Sequence, residues 1–99
     1  MYSFRYETME WEEISYVIAS KIRFGVLTSL NKRVMTPMQL SKELDIPISL
    51  VSRTLRELME KGLIVCLTPN RRKSKMYDIS LSGKEILNKI HEITGNKNE

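Results

Sequence analysis

The sequence predicts a mainly helical α+β domain, with a three-helix core, a β-hairpin and a C-terminal helix. Three observations predict this fold class. The chain of 99 residues suits one domain. Apolar residues recur at helical spacing in its first two thirds and again near its end. Between these regions, two short segments rich in β-favouring residues flank a basic loop.

Residues 10–31 form the first predicted element. Apolar side chains from Trp11 to Leu30 follow helical spacing, and no proline interrupts them. Ser20 is a residue type that caps helices. The segment is therefore either one long helix or two helices that meet near Ser20.

Residues 36–62 predict two helices joined by a tight turn. Thr36 is a helix-capping residue, Pro37 suits the first helical position, and the Gln39 side chain can bond back to the cap. This helix runs to Leu44. Pro47 then forces a break, because its ring disfavours a helical conformation in the preceding residue.

The third predicted helix covers about residues 48–61. Val51, Leu55 and Leu58 lie four and three residues apart, so they form one apolar stripe that faces the core. Gly62 is well placed to end the helix in the left-handed conformation.

Residues 63–80 predict a β-hairpin. Its strands are Leu63–Thr68 and Met76–Ser80, and the loop between them is residues 69–75. A last helix follows over residues 81–94. Either Ser80 or Ser82 caps it, and Glu85 completes a capping box if Ser82 is the cap.

This order of elements is that of a winged helix-turn-helix domain, here spanning residues 1–99. In such a domain the second helix of the pair enters the major groove of DNA, and the first braces it against the DNA backbone. Thr36 is the expected backbone contact on the first helix. The expected contacts on the third helix, opposite its apolar stripe or near its start, are Ser49, Leu50, Ser52, Arg53 and Arg56.

These residue types suit base and phosphate recognition, since Arg binds guanine bidentately and Ser bonds base edges or phosphates. Ile48 and Leu50 either touch a thymine methyl group or pack within the protein. An alternative for the arginines is that Arg53 and Arg56 pair with Glu57 and Glu60, four residues further along the helix.

The hairpin loop is the predicted wing. It holds four basic residues that suit phosphates or the minor groove: Arg71, Arg72, Lys73 and Lys75. The alternative is a charged hairpin tip that merely prevents edge-to-edge aggregation.

Charge is concentrated in the middle of the chain. Residues 21–75 carry twelve Lys and Arg against four Asp and Glu, a net charge of +8 within a total of +4. This asymmetry indicates either a surface that binds a polyanion or chance clustering on a solvated surface. Within it, Arg23 either bridges to the third helix or contacts a phosphate.

Two segments carry a family resemblance: Thr36-Pro-Met-Gln-Leu-Ser-Lys-Glu-Leu-Asp-Ile46 and Val51-Ser-Arg-Thr-Leu-Arg-Glu-Leu-Met-Glu-Lys-Gly-Leu-Ile64. They resemble winged helix-turn-helix regulators of the MarR and ArsR types, most closely the small archaeal members. The resemblance implies that the start of the third helix reads bases and that the wing contacts phosphates or the minor groove. Pro47 departs from the pattern, because relatives often carry Ser or Thr there as the helix cap.

The resemblance also implies a homodimer, formed through helices at both termini. The alternative is that the apolar faces of these helices simply cover the core of the domain. The candidate segments are residues 1–19 and 82–94. Within them, the candidate interface residues are Trp11, Ile86, Ile90 and Ile93. ArsR-type relatives often sense metals through Cys and His clusters, but Cys66 and His91 stand alone here, so no metal or other cofactor is expected.

The predicted function is a DNA-binding transcriptional regulator that partners double-stranded DNA. The alternative is a winged-helix protein-interaction or assembly module with little DNA affinity. An enzyme is not expected, since the sequence has no phosphate-cradling glycine loop and no convincing nucleophile motif. The sequence has no apolar run long enough to span a membrane, and its start does not resemble a signal peptide. The expected location is therefore the cytoplasm.

Overall fold

The computed structural model describes residues 11–95, and in this part of the chain five helices and a hairpin follow in the predicted order. The elements are α1 over residues 11–18, α2 Lys21–Lys32, α3 Pro37–Leu44, α4 Ile48–Glu60, β1 Ile64–Cys66, β2 Tyr77–Ile79 and α5 Leu81–Thr94. The predicted winged helix-turn-helix fold is confirmed. Three parts of the predictions lie outside the described residues. They are the helix start at residue 10, the first ten residues of the dimer segment 1–19, and the two ends of the 1–99 domain.

The N-terminal helical segment is two helices, because the chain leaves the helical conformation at Ser20. Its backbone is extended, with φ −135° and ψ 121°. Its hydroxyl oxygen accepts a hydrogen bond from the Arg23 N–H at 3.2 Å, which satisfies one amide that has no partner within the helix. The helix that begins here, α2, packs against α3, α4, α5 and β2 and so forms the centre of the domain.

The start of α3 is the predicted capping box. The Thr36 hydroxyl oxygen accepts from the Gln39 N–H at 3.2 Å, and the Gln39 side-chain oxygen accepts from the Thr36 N–H at 2.9 Å. The helix ends at Leu44, and its C-cap Asp45 is left-handed with φ 56°. The Ser41 hydroxyl then donates to the Ile46 carbonyl at 2.6 Å, so the tight turn into α4 is bonded back to α3.

The next helix, α4, begins directly after Pro47, which provides no side-chain cap. It ends at Glu60, one residue earlier than predicted, and Lys61 is its C-cap. Gly62 is left-handed as expected, with φ 74°. The side of α4 that faces the core is formed by Val51, Thr54, Leu55 and Leu58.

The two strands pair antiparallel and are shorter than predicted. Ile64 lies opposite Ile79 and Cys66 opposite Tyr77. Next along the hairpin, the N–H of Met76 donates to the Thr68 hydroxyl oxygen at 3.0 Å instead of to a backbone carbonyl. In place of the predicted strands 63–68 and 76–80, each strand has three residues, although the Leu67 N–H still donates to the Met76 carbonyl at 2.8 Å and the Ser80 N–H to the Leu63 carbonyl at 3.0 Å.

A third segment, which the sequence did not predict, joins the hairpin. Met35, between α2 and α3, exchanges two backbone hydrogen bonds with Tyr77, at 3.1 and 2.9 Å. The bridge anchors the strand leaving the wing to the residue just before Thr36. It thereby fixes the position of the wing relative to the start of α3.

Ser80 is the cap of α5, and its hydroxyl oxygen accepts from the Gly83 N–H at 3.0 Å. Ser82 lies within the helix, so the alternative cap with Glu85 is not formed. Gly83 packs so closely against Leu63 that a Cβ atom there would collide with the Leu63 carbonyl. The helix ends at Gly95, which is left-handed.

The core draws on every element of the described chain. Its buried members are Ile14, Val17, Val26, Leu27, Leu30, Met35, Leu40, Val51, Leu55, Leu58, Leu63, Ile64, Ile79, Ile86, Leu87 and Ile90. Two of these were candidate interface residues, and their burial favours the alternative that the apolar face of α5 covers the core. Ile86 and Ile90 are only 4% and 3% exposed, because the inner face of α5 closes the core of the protomer. Ile86 therefore belongs to the core of the protomer, and Ile90 reaches the surface only as part of the lining of a shallow groove between α1 and α5.

Candidate nucleic-acid interface

The outer face of α4 presents the predicted recognition residues to solvent. Ser49, Ser52, Arg53 and Arg56 are exposed, and Leu50 is half-buried. The opposite face is held on the core by its apolar stripe, so the exposed side chains are carried on a fixed helix. The amphipathic division of α4 predicted from sequence is confirmed.

Arg53 and Arg56 do not form the intrahelical ion pairs that were the alternative. Within residues 11–95, neither guanidinium has an acidic partner within ion-pair distance. Glu57, the expected partner of Arg53, lies instead 3.5 Å from the Arg23 Nε. Both guanidinium groups are therefore unpaired within the described part of the chain, which leaves their donors available for an external anion.

Arg23 joins three helices. Its guanidinium donates to the Tyr16 carbonyl at 2.6 Å and lies 3.9 Å from the centre of the Tyr16 ring, while its Nε faces Glu57 on α4. The Lys61 ammonium approaches the same ring at 4.9 Å. Of the two sequence interpretations of Arg23, the bridge to the third helix is the one observed.

This junction has an electrostatic consequence for Tyr16. Burial raises the pKa of its phenol, because the charged form is poorly solvated there, and the nearby Arg23 opposes that effect. Tyr16 is therefore a neutral packing element between α1, α2 and α4. The junction stabilises the orientation of α4 without placing a cation on its outer face.

In the wing loop, one arginine is hydrogen-bonded within the loop, and two basic side chains are exposed to solvent. The Arg71 guanidinium donates to the Ser74 carbonyl at 3.0 Å, and Ser74 is itself left-handed with φ 56°. Arg72 and Lys73 are exposed, and Lys75 is half-buried. Of the predicted wing residues, Arg71 thus shapes the loop, while Arg72 and Lys73 project from it.

An open groove of about 360 Å³ brings the helix-turn-helix and the wing together. Its lining residues are Thr36, Pro37, Met38, Ile48, Ser52, Lys73 and Ser74. They come from the start of α3, the start of α4 and the wing tip. Three of the predicted DNA contacts, Thr36, Ser52 and Lys73, therefore line one groove, which we call the α3–α4–wing groove.

Sequence reasoning missed Met38 as a surface residue. Met38 is not among the residues predicted to contact DNA, yet its side chain is 55% exposed and lines the groove. The available signal was its place in the first turn, directly after Pro37, where a side chain extends past the end of the helix. Ile48 is also exposed, at 43%.

A second surface lies between α1 and α5. A shallow apolar groove of about 40 Å³ is lined by Trp11, Ile14, Ile18, Ile90, Ile93 and Thr94. Trp11 and Ile93 are 54% and 53% exposed. Two of the predicted interface residues, Trp11 and Ile93, therefore lie together at the surface.

Other site chemistries find little support in the described part of the chain. No group of three or more His, Cys, Asp or Glu side chains lies together there. Cys66 is half-buried opposite Tyr77, and the His91 ring packs edge-on to Phe24 at 6.5 Å between ring centres. Of the helices in residues 11–95, none has the length and apolar character needed to cross a membrane.

The helix-turn-helix segment and the fold are both similar to those of known regulatory proteins. Residues 20–65, which contain α2, α3 and α4, match the model of the arsR family of bacterial regulatory proteins. This match and the structural similarities show the winged-helix fold that ArsR- and MarR-type transcriptional regulators share. Such proteins bind DNA and are not enzymes.

Particular solved structures share the fold over nearly the whole chain. Reduced HlyU from Vibrio cholerae has a TM-score of 0.75 at 18% identity, covering 94% of this chain and 97% of its own. NolR from Sinorhizobium fredii has a TM-score of 0.68 at 27% identity, covering 92% and 94%.

The mutant MarR C80S from E. coli, complexed with operator DNA, has a TM-score of 0.70 at 23% identity and covers 92% of this chain and 72% of its own. No curated protein matches the chain in sequence.

Proposed function

We propose that the protein is a sequence-specific transcriptional regulator that binds double-stranded DNA as a homodimer in the cytoplasm. In this proposal α4 lies in the major groove, and the wing, residues 69–75, follows phosphates or enters the minor groove. The observation that carries the proposal is the pair of unpaired guanidinium groups on the exposed face of α4. The start of that helix shares one groove with the wing.

Charge supports this orientation. Residues 21–75 contain the helix-turn-helix and the wing, and they hold the net charge of +8. Duplex DNA carries about one negative charge per 1.7 Å of its axis, so a cationic face releases counterions when it binds. The proposed base-reading residues are Ser49, Leu50, Ser52, Arg53 and Arg56. The proposed phosphate or minor-groove contacts are Thr36, Arg71, Arg72, Lys73 and Lys75.

Thr36 and Arg71 have secondary roles in this proposal, because each is already bonded within the protein. The Thr36 hydroxyl oxygen accepts from the Gln39 N–H, so its hydroxyl proton is left to donate to a phosphate. Arg71 shapes the wing through Ser74 and offers a phosphate its remaining donors.

Fluorescence anisotropy with labelled duplexes tests the proposal. One duplex is the region upstream of the protein's own gene, a second is selected from a random-sequence library by binding to the protein, and a third is a scrambled control. Salt-dependent binding that favours either of the first two by about 10³-fold supports a specific regulator. Equal binding to all three would contradict sequence specificity. No binding near physiological salt would favour the protein-interaction module instead.

Lys73→Ala is expected to weaken binding to all three duplexes alike. Lys73 is exposed at the wing tip and borders the groove, so it is placed to contact a phosphate rather than a base. Losing one phosphate contact should lower the slope of log affinity against log salt by about one unit. Lys84→Ala, on the exposed side of α5, is the control and should leave the slope unchanged. A loss of affinity confined to the preferred duplex would contradict the proposed phosphate contact of Lys73.

The dimer proposal rests on the apolar surface between α1 and α5, where Trp11, Ile18 and Ile93 are each more than half exposed. A two-fold pairing of these surfaces would remove them from water and present two α4 helices to half-sites one helical turn apart. Ile86 and Ile90 support the interface only from within the protomer core.

Ile93→Glu is expected to produce a monomer, because the pairing would bury an unpartnered carboxylate. Light scattering after size exclusion measures the mass. Leu81→Glu is the matched control, since Leu81 is a 79% exposed apolar residue at the other end of α5. An Ile93→Glu protein that remains dimeric would place the interface elsewhere, and a monomeric unsubstituted protein would exclude the dimer.

A further inference from the structure

We propose that Met38 and Ile48 form an apolar reading surface for thymine methyl groups in the α3–α4–wing groove. The inference rests on the proposed docking of α4 in the major groove and adds a determinant of the sequence that is bound. It starts from two large apolar side chains that are exposed within the most cationic part of the chain, at 55% and 43%.

The two residues are brought together by the fold. Met38 is the second residue of α3 and Ile48 the first residue of α4, and both line the same groove. The tight turn between the helices is held by the Ser41 bond to Ile46. Single exposed apolar residues are common on protein surfaces, but this pair meets at the groove where the helix-turn-helix faces the wing.

The chemistry of the groove selects its occupant. Ile48 and Ser52 lie four residues apart, so they share one face of α4, and Lys73 borders the same space from the wing. An apolar floor beside a hydroxyl and an ammonium group fits a ligand that carries a methyl group next to polar and anionic groups. Duplex DNA presents that combination wherever a thymine lies in the major groove.

Only one base offers these side chains a favourable contact. In the major groove, thymine alone carries an apolar substituent, the C5-methyl group, while all four bases present hydrogen-bonding edges. Met and Ile cannot donate to or accept strongly from those edges. Met38 is also flexible and polarisable, so it can adapt to a methyl group whose position varies between steps of the duplex.

A deoxyuridine scan tests the proposal directly. In the duplex selected by binding to the protein, each thymine is replaced in turn by deoxyuridine, which removes one methyl group and keeps base pairing. At one or two positions in each half-site, affinity should fall about fourfold, the effect of one buried methyl group. This arm requires no protein variant, so it does not depend on the folding of a mutant.

Two variants then assign the contact. Ile48→Ala and Met38→Ala should each abolish the deoxyuridine penalty at its own position, so that thymine and deoxyuridine bind equally there. Val65→Ala is the matched control, because Val65 is 43% exposed, as Ile48 is, but lies on β1 and not in the groove. The control should retain the full penalty, and circular dichroism confirms that each variant is helical.

The outcomes separate this inference from the function on which it rests. If the selection yields a preferred sequence but no deoxyuridine position loses affinity, the thymine contact is wrong and the regulator stands. The same holds if the penalty persists in both alanine variants. If the selection yields no preferred sequence, the proposed function fails and the inference fails with it.

Discussion

Gly83→Ala should destabilise the protein by about 1–3 kcal/mol, although the same substitution usually stabilises a helix by about 1 kcal/mol. Gly83 lies in the first turn of α5, where that helix crosses the end of the hairpin. An added Cβ would meet the Leu63 carbonyl oxygen and lie 2.7 Å from the Ile79 Cγ1. The steric cost therefore outweighs the gain in helix propensity.

The contact cannot relax cheaply, because its neighbours are bonded. The Leu63 carbonyl accepts from the Ser80 N–H at 3.0 Å, and the Ser80 hydroxyl donates to the Gly62 carbonyl at 2.7 Å. Moving Leu63 away from a new methyl group would break the junction between hairpin and helix. Moving α5 would expose Ile86 and Leu87, which it buries in the core.

Urea unfolding followed by circular dichroism measures the effect. Gly25→Ala is the matched control, since Gly25 lies inside α2 and a Cβ there would approach only the end of the flexible Leu44 side chain, at 3.3 Å. The Gly83→Ala midpoint should fall well below that of Gly25→Ala. A Gly83→Ala midpoint above that of the unsubstituted protein would mean that α5 packs differently on the hairpin.

Local chemistry made much of the fold predictable from sequence. The capping box of Thr36 and Gln39, the break at Pro47 and the left-handed Gly62 each depend on a few neighbouring residues. Such signals are complete within one turn of helix. These signals set the limits of the elements, and the spacing of the apolar residues gave the two faces of α4.

Other features depend on contacts between distant segments. The Met35 bridge to Tyr77 involves a single residue in each segment, too short for a periodic pattern. Ile86 and Ile90 have the same spacing whether they face the core or a partner, and only the packed domain places them inside. Likewise, the pairing of Glu57 with Arg23 rather than Arg53 requires α2 and α4 to lie side by side.

The candidate site shows the same division. Sequence identified the residue types on α4 and the wing, since charge and helical spacing are local properties. It did not identify the α3–α4–wing groove, because that groove depends on the wing position fixed by Met35 and Tyr77. Met38 was consequently not among the predicted site residues.

Arg53→Ala is expected to reduce affinity for the selected duplex by about 1–3 kcal/mol, or roughly 5- to 150-fold, and to relax preference at one base position. Arg53 is exposed one residue after Ser52 and has no ion pair within the described chain. Among residues 11–95 its side chain forms no ion pair that the substitution would break, so the free energy of unfolding should stay within about 0.5 kcal/mol of the unsubstituted value. Binding and stability therefore separate cleanly in this variant.

Arg53→Lys distinguishes base reading from charge. Lysine keeps the positive charge but loses the planar pair of donors that matches guanine O6 and N7. If Arg53 reads a guanine, the lysine variant should keep the salt slope and lose preference at the same base position as the alanine variant. If Arg53 contacts a phosphate, the lysine variant should retain both preference and slope, and the alanine variant should lose about one unit of slope. Unchanged affinity and preference in both variants would mean that α4 presents a different face to DNA.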